Sequence, residues 1–408
     1  MPSSDRLHAL DAVRAFALLL GVALHAAQPY VAHLPWITTE SPSAVVAGLW
    51  YTIHLFRMPL FFLIAGFFGR MMLERRGTAG FVKDRSRRIL LPFVAGVPLI
   101  MLITGVAYVL GALVSGQDPR GLHPPSGPAT HRGFIASINL IHLWFLYYLV
   151  LFYALALLVR VAFEAFDRGG RLQAGVDAGV RFLMRGPWGP LLLALPSIAY
   201  YSRLSGWSIW GGLPAPFSLI PDVGALLGYG VFFGFGWLLH RQQPLVLSLE
   251  KSWPMHGVLA LAAWTVCRLL AGSTPHWGPF LQGGALVAYT IAYVVGSWCV
   301  SLGLIGVAIR FLSGYSAVRR YLADASYWIY LMHIPALFFF SQALHPLHWH
   351  WSLKFPVTML CALTALLLSY HFLVRFTFIG ATLNGRRAIS SSTPTHPHSG
   401  RDAPGCAT

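Results

Sequence analysis

The chain has 408 residues, of which 56% are hydrophobic and only 10% charged, and its formal net charge is +16. A soluble domain has roughly a quarter of its residues charged, so this composition excludes an ordinary soluble protein. It indicates an integral membrane protein in contact with the lipid bilayer. We therefore expect an all-α, polytopic fold with about ten transmembrane helices that enclose a polar cavity.

Hydropathy divides the chain into about ten apolar stretches of near-bilayer length. The fifth stretch is short and contains Pro196. If this fifth stretch did not cross the membrane, the C-terminus would lie on the other side. The predicted spans are residues 9–29, 44–68, 89–114, 139–159, 190–202, 220–239, 254–271, 284–309, 326–343 and 355–374.

The distribution of Lys and Arg predicts the orientation. With the N-terminus in the cytoplasm, 22 of the 29 Lys and Arg residues lie in inner segments and only five in outer segments. Positive charge is retained on the cytoplasmic side of a membrane, so this split predicts cytoplasmic N- and C-termini. The same topology accounts for the net charge, and we expect no nucleic-acid partner.

The two ends of the chain differ in character. FALLLGVAL near the N-terminus has the length of a signal-peptide core, but Asp11 and Arg14 interrupt its approach and no small-x-small cleavage site follows, which favours a retained helix. Residues 1–380 are predicted to form the membrane domain, and the polar residues 381–408 a disordered cytoplasmic tail. The cysteines are isolated, and we expect neither a metal site nor a bound cofactor.

The first predicted helix carries polar residues on one face. At about 100° per residue, Asp11, Arg14, Gly21, His25 and Gln28 fall on one stripe, with Arg14 and His25 about 16 Å apart along the axis. Ionisable residues within a span usually face the bundle interior, so this stripe predicts a cavity-lining helix. The alternative is that Asp11 pairs with Arg14 near the interface and His25 caps the outer end.

Later spans contribute five further candidates for the cavity or for an acceptor site. In the predicted topology four of them lie near the outer surface, and one lies within the ninth span. Each also has a simple structural interpretation, as an interfacial, helix-start or internally satisfied polar residue. The candidates are His54, Arg57, His142, Asp222 and His333.

A basic element precedes the third span. KDRSRRILLP places Arg85 and Arg88 one turn apart at the start of a helix. Topology alone explains positive charge there, but two arginines on one face of a helix N-terminus also suit phosphate groups.

Four stretches resemble the membrane-bound acyltransferase 3 family, and they occur in family order. They are RLHALDAVRAFALLLGVALH, FRMPLFFLIAGFFGR, RSRRILLP and SYWIYLMHIP. FRMPLFF and HLWFLYYL are most similar to the branch of that family that transfers succinyl groups to periplasmic glucans.

The resemblance implies a membrane-bound O-acyltransferase of a bacterial inner membrane. The donor would be cytoplasmic acyl-CoA, the acyl group succinyl or acetyl, and the acceptor a hydroxyl of a periplasmic glucan or an envelope polysaccharide. Arg14 and His25 match the family's first-helix pair, and Arg85 and Arg88 match its Arg-x-x-Arg element. Unlike in many members of the family, we expect no appended hydrolase-like domain.

The chemistry assigns a role to each of these groups. A histidine near the outer surface can remove the proton of an acceptor hydroxyl, so we expect His25 to be the general base. Arg14, held by Asp11, would follow the acyl-CoA arm, and Arg85 and Arg88 would bind its phosphates.

Two other classes of protein share these features. A secondary transporter or flippase would use the polar stripe as its transport path, although no inverted repeat is visible. A noncatalytic sensor or assembly scaffold would tolerate replacement of His25.

Overall fold

A computed structural model of the protein describes residues 3–34, 37, 39–117, 138–204 and 206–384. The regular structure of these residues is entirely helical, with no strand. Twelve α-helices occur in them: α1 Ser3–Ala27, α2 Ala44–Arg85, α3 Leu91–Val114, α4 Trp144–Phe166, α5 Arg171–Arg185, α6 Gly189–Tyr201, α7 Val223–Leu239, α8 Gln243–Ala271, α9 Gly283–Phe311, α10 Ala317–Ala343, α11 Trp351–Ser369 and α12 Phe378–Asn384. The predicted all-α class is confirmed.

Six helical stretches of the described residues are long and apolar enough to cross a membrane. Two of these stretches, of 71 and 49 residues, are far longer than the ~20 residues that one crossing requires. The predicted number of about ten spans stays a prediction. The six stretches are His8–Tyr30, Ala44–Val114, Ile141–Phe166, Val223–Ala271, Gly283–Phe311 and Trp351–Val374.

Several helices extend beyond the apolar stretches that predicted them. The second predicted span ends at residue 68, whereas α2 continues to Arg85 with one break at Gly77, where φ is 66°. Residues 70–76 are rich in Arg, Met, Leu and Glu, which lower hydropathy but are good helix formers. Hydropathy therefore locates the apolar part of a helix but not its end.

The last described helix, α12, spans the predicted domain boundary at residue 380 and ends at Asn384. The boundary itself stays a prediction. The side-chain amide of Asn384 donates a hydrogen bond of 2.8 Å to the carbonyl oxygen of Asp324. The remaining residues of the predicted tail, 385–408, lie outside the described residues.

Helices α2 and α7 make a very close contact through glycines. A Cβ atom at Gly66 would lie 2.0 Å from the carbonyl oxygen of Phe233, and one at Gly236 would lie 1.9 Å from that of Leu63. Small residues let helix backbones approach closely where apolar burial alone does not drive association. The pair Gly66 and Gly236 therefore sets the spacing between α2 and α7.

Helix α10 lies at the centre of the other packing interactions. It contacts α1, α3 and α11, while α8 packs along α9. Long apolar side chains on α3 and α4, such as Leu102 and Leu158, are exposed, as expected for surfaces in contact with lipid tails. Helices α1, α2, α3, α4, α7 and α10 leave a cavity between them.

We predict that Gly236→Ala destabilises the protein, because the added methyl group must push α7 away from the backbone of α2. The expected loss is about 1–3 kcal/mol, measured as a lower thermal unfolding temperature of the detergent-solubilised protein. Gly234→Ala is the matched control, since a Cβ at that position meets nothing within 4 Å. Equal unfolding temperatures for the two variants would contradict this account of the helix contact.

Candidate functional site

The cavity has a volume of about 630 Å³, and most of its lining is apolar or aromatic. Four histidines and one arginine lie in this lining, and all five are candidates from the sequence. They come from α1, α2, α10 and the turn before α4, which are distant in the chain. They are His25, His54, Arg57, His142 and His333.

The C-terminal half of the predicted stripe, on α1 and the short turn that follows it, faces the cavity. Leu18, Gly21, His25 and Gln28 all line it, at the spacing of one helix face. The cavity lined by His25 and its neighbours is the His25 end of the molecule. The region around Asp11, Arg14 and the basic element is the Arg14 end. The two ends are separated by about 16 Å along the helix axis.

Arg14 and Asp11 lie outside the cavity lining. They form an ion pair of 3.2 Å, and both side chains are partly exposed. The guanidinium of Arg14 also lies 5.8 Å from the centre of the Phe68 ring. The local pairing that the sequence offered as an alternative is therefore present, while Leu18, one turn further along, already lines the cavity.

Three imidazole rings form a cluster at the His25 end. The ring centres of His25 and His333 are 5.0 Å apart, and those of His142 and His333 are 4.8 Å apart. Four buried ring nitrogens in this cluster have no hydrogen-bond partner among the described residues: Nδ1 of His25, both nitrogens of His142, and Nε2 of His333. Buried polar atoms are normally satisfied, so the cluster is suited to bind a polar molecule.

Tyr330 holds two of these histidines in place, and the sequence analysis missed it. Its hydroxyl donates a hydrogen bond of 2.8 Å to the carbonyl oxygen of His142. Its own carbonyl oxygen accepts a bond of 2.7 Å from Nδ1 of His333. Because a carbonyl can only accept, Nδ1 of His333 carries the proton, and Nε2 is the free nitrogen. The i,i+3 spacing of Tyr330 and His333 on α10 was the available signal.

A strained turn directs His142 inward. The preceding residue, Ile141, has a φ of 48°, which is rare for a β-branched side chain. The side-chain oxygen of Asn139 accepts a 2.8 Å bond from the amide of Ile141 and closes the turn. His142 is 6% exposed and contributes to the cavity rather than to an interfacial aromatic belt.

The second helix contributes His54 and Arg57 to the same cavity. The His54 ring lies over Trp50, with centres 4.0 Å apart. The guanidinium of Arg57 reaches across to α1, where a Cβ atom at Gly21 would lie 2.5 Å from its Nη1. Gly21 therefore leaves the space that Arg57 occupies, a role that stripe geometry alone did not reveal.

At the Arg14 end, one buried carboxylate organises the basic element. Asp84 is 7% exposed and pairs with Arg76 at 2.9 Å, Arg85 at 3.1 Å and Arg88 at 3.2 Å. Arg14 lies near enough to Arg88 for their charges to interact. One carboxylate cannot neutralise three guanidinium groups, so the element keeps positive charge. The sequence analysis did not identify Asp84, although it lies within KDRSRR.

The structure places Asp222 at the start of a helix and outside the cavity lining. This residue is the N-cap of α7, and its Oδ1 accepts a hydrogen bond of 2.8 Å from the amide of Ala225. Its own amide donates a bond of 2.8 Å to the hydroxyl of Tyr148. Asp222 is absent from the cavity lining, because its carboxylate is engaged in starting the helix. Within the part of the chain that the structure describes, no group of His, Cys, Asp or Glu is arranged to hold a metal ion.

Comparisons with known proteins agree with this picture. A family model described as "Acyltransferase domain" matches residues 7–372. Two relatives, each named "Glucans biosynthesis protein C", come from Escherichia coli O139:H28 (strain E24377A / ETEC) and Shigella dysenteriae serotype 1 (strain Sd197). Both are 26% identical over 355 residues, which cover 84% of this chain and 85% of the relative. No solved structure matches the chain.

The family match extends over nearly the whole chain and includes α1, the basic element and the histidines of the cavity. It therefore covers both the Arg14 end and the His25 end. As its sequence motifs indicate, the chain belongs to the membrane-bound acyltransferase 3 family of enzymes that transfer acyl groups.

Proposed function

We propose that the protein transfers an acyl group, succinyl or acetyl, from cytoplasmic acyl-CoA to a hydroxyl of a periplasmic glucan or another envelope carbohydrate. The observation that carries this proposal is the histidine cluster, which lines the cavity of a chain that belongs to a family of acyltransferases. The relatives' name, "Glucans biosynthesis protein C", supports a glucan-type acceptor. Acyl-CoA is the donor substrate, and no bound cofactor takes part.

The reaction uses the free imidazole nitrogens at the His25 end. His25 accepts the proton of the acceptor hydroxyl as its oxygen adds to the carbonyl carbon of the thioester. The bond from that carbon to sulfur then breaks, and the coenzyme A thiolate leaves and takes up the proton. An ester and a free thiol result. His333 lies against His25 and restricts the position of its ring, and His142 in turn packs against His333.

The basic element at the Arg14 end supports binding of the donor phosphates. Arg85 and Arg88 are only partly exposed, and Asp84 holds both in defined positions. Guanidinium groups in fixed positions bind phosphate through paired hydrogen bonds. The distance of about 16 Å between Arg14 and His25 matches an extended pantetheine arm, which would pass Arg14 on its way to the cavity.

The proposed topology follows from this arrangement. The donor must enter from the cytoplasm and the acceptor from the periplasm, so the Arg14 end faces inward and the His25 end outward. About ten spans, with both termini in the cytoplasm of a bacterial inner membrane, give this orientation. Loop residues between 208 and 217 line the cavity at the His25 end and would contact the acceptor.

We predict that His25→Ala lowers the transfer rate about 100-fold or more, because the acceptor hydroxyl loses its base. Purified protein would be incubated with a panel of acyl-CoAs and envelope glycans, and the acylated product measured by mass spectrometry. His8→Ala is the matched control on the same helix, since His8 contacts Tyr315 and lies outside the cavity lining. Near-normal transfer by a well-folded His25→Ala protein would rule out His25 as the base.

We further predict that Arg85→Gln together with Arg88→Gln raises the KM for acyl-CoA more than it lowers kcat. Contacts to phosphates far from the reacting carbonyl contribute mainly uniform binding energy. Steady-state kinetics over a range of acyl-CoA concentrations would separate the two constants. Arg87→Gln is the control, because Arg87 lies in the same run but is exposed and forms no ion pair with a described residue. If the KM for acyl-CoA equals that of the Arg87→Gln control, the two arginines serve only to keep this segment on the cytoplasmic side.

A further inference from the structure

The charge distribution of the cavity is one-sided. Among the described residues that line it, Arg57 carries the only permanent charge, and no Asp or Glu is present. The other ionisable side chains of the lining are histidines and the tyrosines Tyr108, Tyr229 and Tyr330. The lining therefore contains a cation without a matching anion.

The guanidinium of Arg57 also lacks a counter-charge among the described residues. It forms no ion pair with a described residue, and its buried Nε has no hydrogen-bond partner there. By contrast, the buried Lys354 pairs with Glu40 at 2.7 Å. Removing a charge from water costs several kcal/mol unless a counter-charge compensates for it. Such a guanidinium in a cavity wall is suited to bind an anion.

The position of Arg57 selects which anion it can meet. Its guanidinium lies against Gly21, one helical turn or about 6 Å from His25 along α1. The proposed phosphate site lies at the Arg14 end, where Arg88 is close enough to Arg14 for their charges to interact. Arg14 is seven residues, or about 10 Å, along α1 from Gly21. Phosphates held by the basic element therefore leave Arg57 to another group of the donor. The anion at Arg57 must be part of the acyl group itself or of the reacting carbonyl.

We propose that Arg57 binds the carboxylate at the far end of a dicarboxylic acyl group and thereby selects donors of the succinyl type. In a four-carbon chain the distal carboxylate carbon lies about 4 Å from the thioester carbonyl carbon, which fits the one-turn spacing of Arg57 and His25. A planar guanidinium holds a carboxylate through two parallel hydrogen bonds. A neutral acyl group of the same length would leave the cation uncompensated. This inference rests on the proposed acyl transfer.

The test compares two donors that differ only at the distal end, succinyl-CoA and butyryl-CoA, with the same glycan acceptor. In Arg57→Gln we expect kcat/KM for succinyl-CoA to fall about 100-fold or more, because a site built around a charged group strongly depends on it. For butyryl-CoA we expect a change of less than about threefold. Arg57→Lys should retain part of the preference for succinyl-CoA, since an ammonium keeps the charge but lacks the planar fork.

Arg268→Gln is the matched control, because Arg268 is another partly buried arginine, stacked on Trp210 and outside the cavity lining. It should keep the wild-type ratio of the two donors. If Arg57→Gln does not fold, Gly21→Ala replaces it, since the added methyl group displaces the guanidinium without removing its charge. Gly21→Ala should also lower the succinyl to butyryl ratio.

Equal losses with both donors would overturn the inference and assign Arg57 to the oxyanion of the reacting carbonyl instead. If the wild-type protein transfers neither acyl group, the proposed function fails. The carboxylate site at Arg57 is then tested by the binding of free acids alone. In that case succinate, but not butyrate, should raise the thermal unfolding temperature of the wild type and of Arg268→Gln. The absence of such a shift, or an equal shift in Arg57→Gln, would exclude a carboxylate site at Arg57.

Discussion

The free-energy cost of placing a charge in an apolar interior governs the arrangement of the site. An ionisable residue on a lipid-exposed helix must face other protein groups or a cavity. Arg57 meets this requirement by extending across to α1, where Gly21 leaves room for its guanidinium. That contact fixes α1 against α2 and places His25 and His54 in the lining of one cavity. His142 and His333 line the same cavity from the turn before α4 and from α10.

The two ends of the molecule handle positive charge in different ways. At the Arg14 end, Asp84 pairs with Arg76, Arg85 and Arg88, so each guanidinium has a partner and a defined position while the cluster stays cationic. At the His25 end, Arg57 has no such partner among the described residues. A cluster that is held in place suits a large, highly charged part of a substrate, whereas a single buried cation suits one small anionic group. The long helix α2 and the turn after it carry both arrangements.

The all-helical class and the membrane character follow from the sequence, because apolar stretches of bilayer length occur throughout the chain. Helix ends do not follow from the same signal. Arg and Glu terminate an apolar stretch but continue a helix, and α2 therefore extends to Arg85. The glycines of α7 also show what the sequence indicates and what only the structure reveals. Their number suggests close packing, but only the structure separates Gly236, which touches the backbone of α2, from Gly234, which meets nothing.

For the site, the sequence by itself determined which residue types stand on one face of a helix, since that depends only on helical geometry; the stripe containing His25 follows from it. Only the tertiary structure decided which of those residues meet. It brought His25, His333 and His142 together with His333 between the other two, left Arg14 paired with Asp11 outside the lining, and assigned Asp222 to a helix cap. The physical reason is that contacts between distant helices depend on how backbones pack and on backbone turns such as that at Ile141, which no local periodicity encodes.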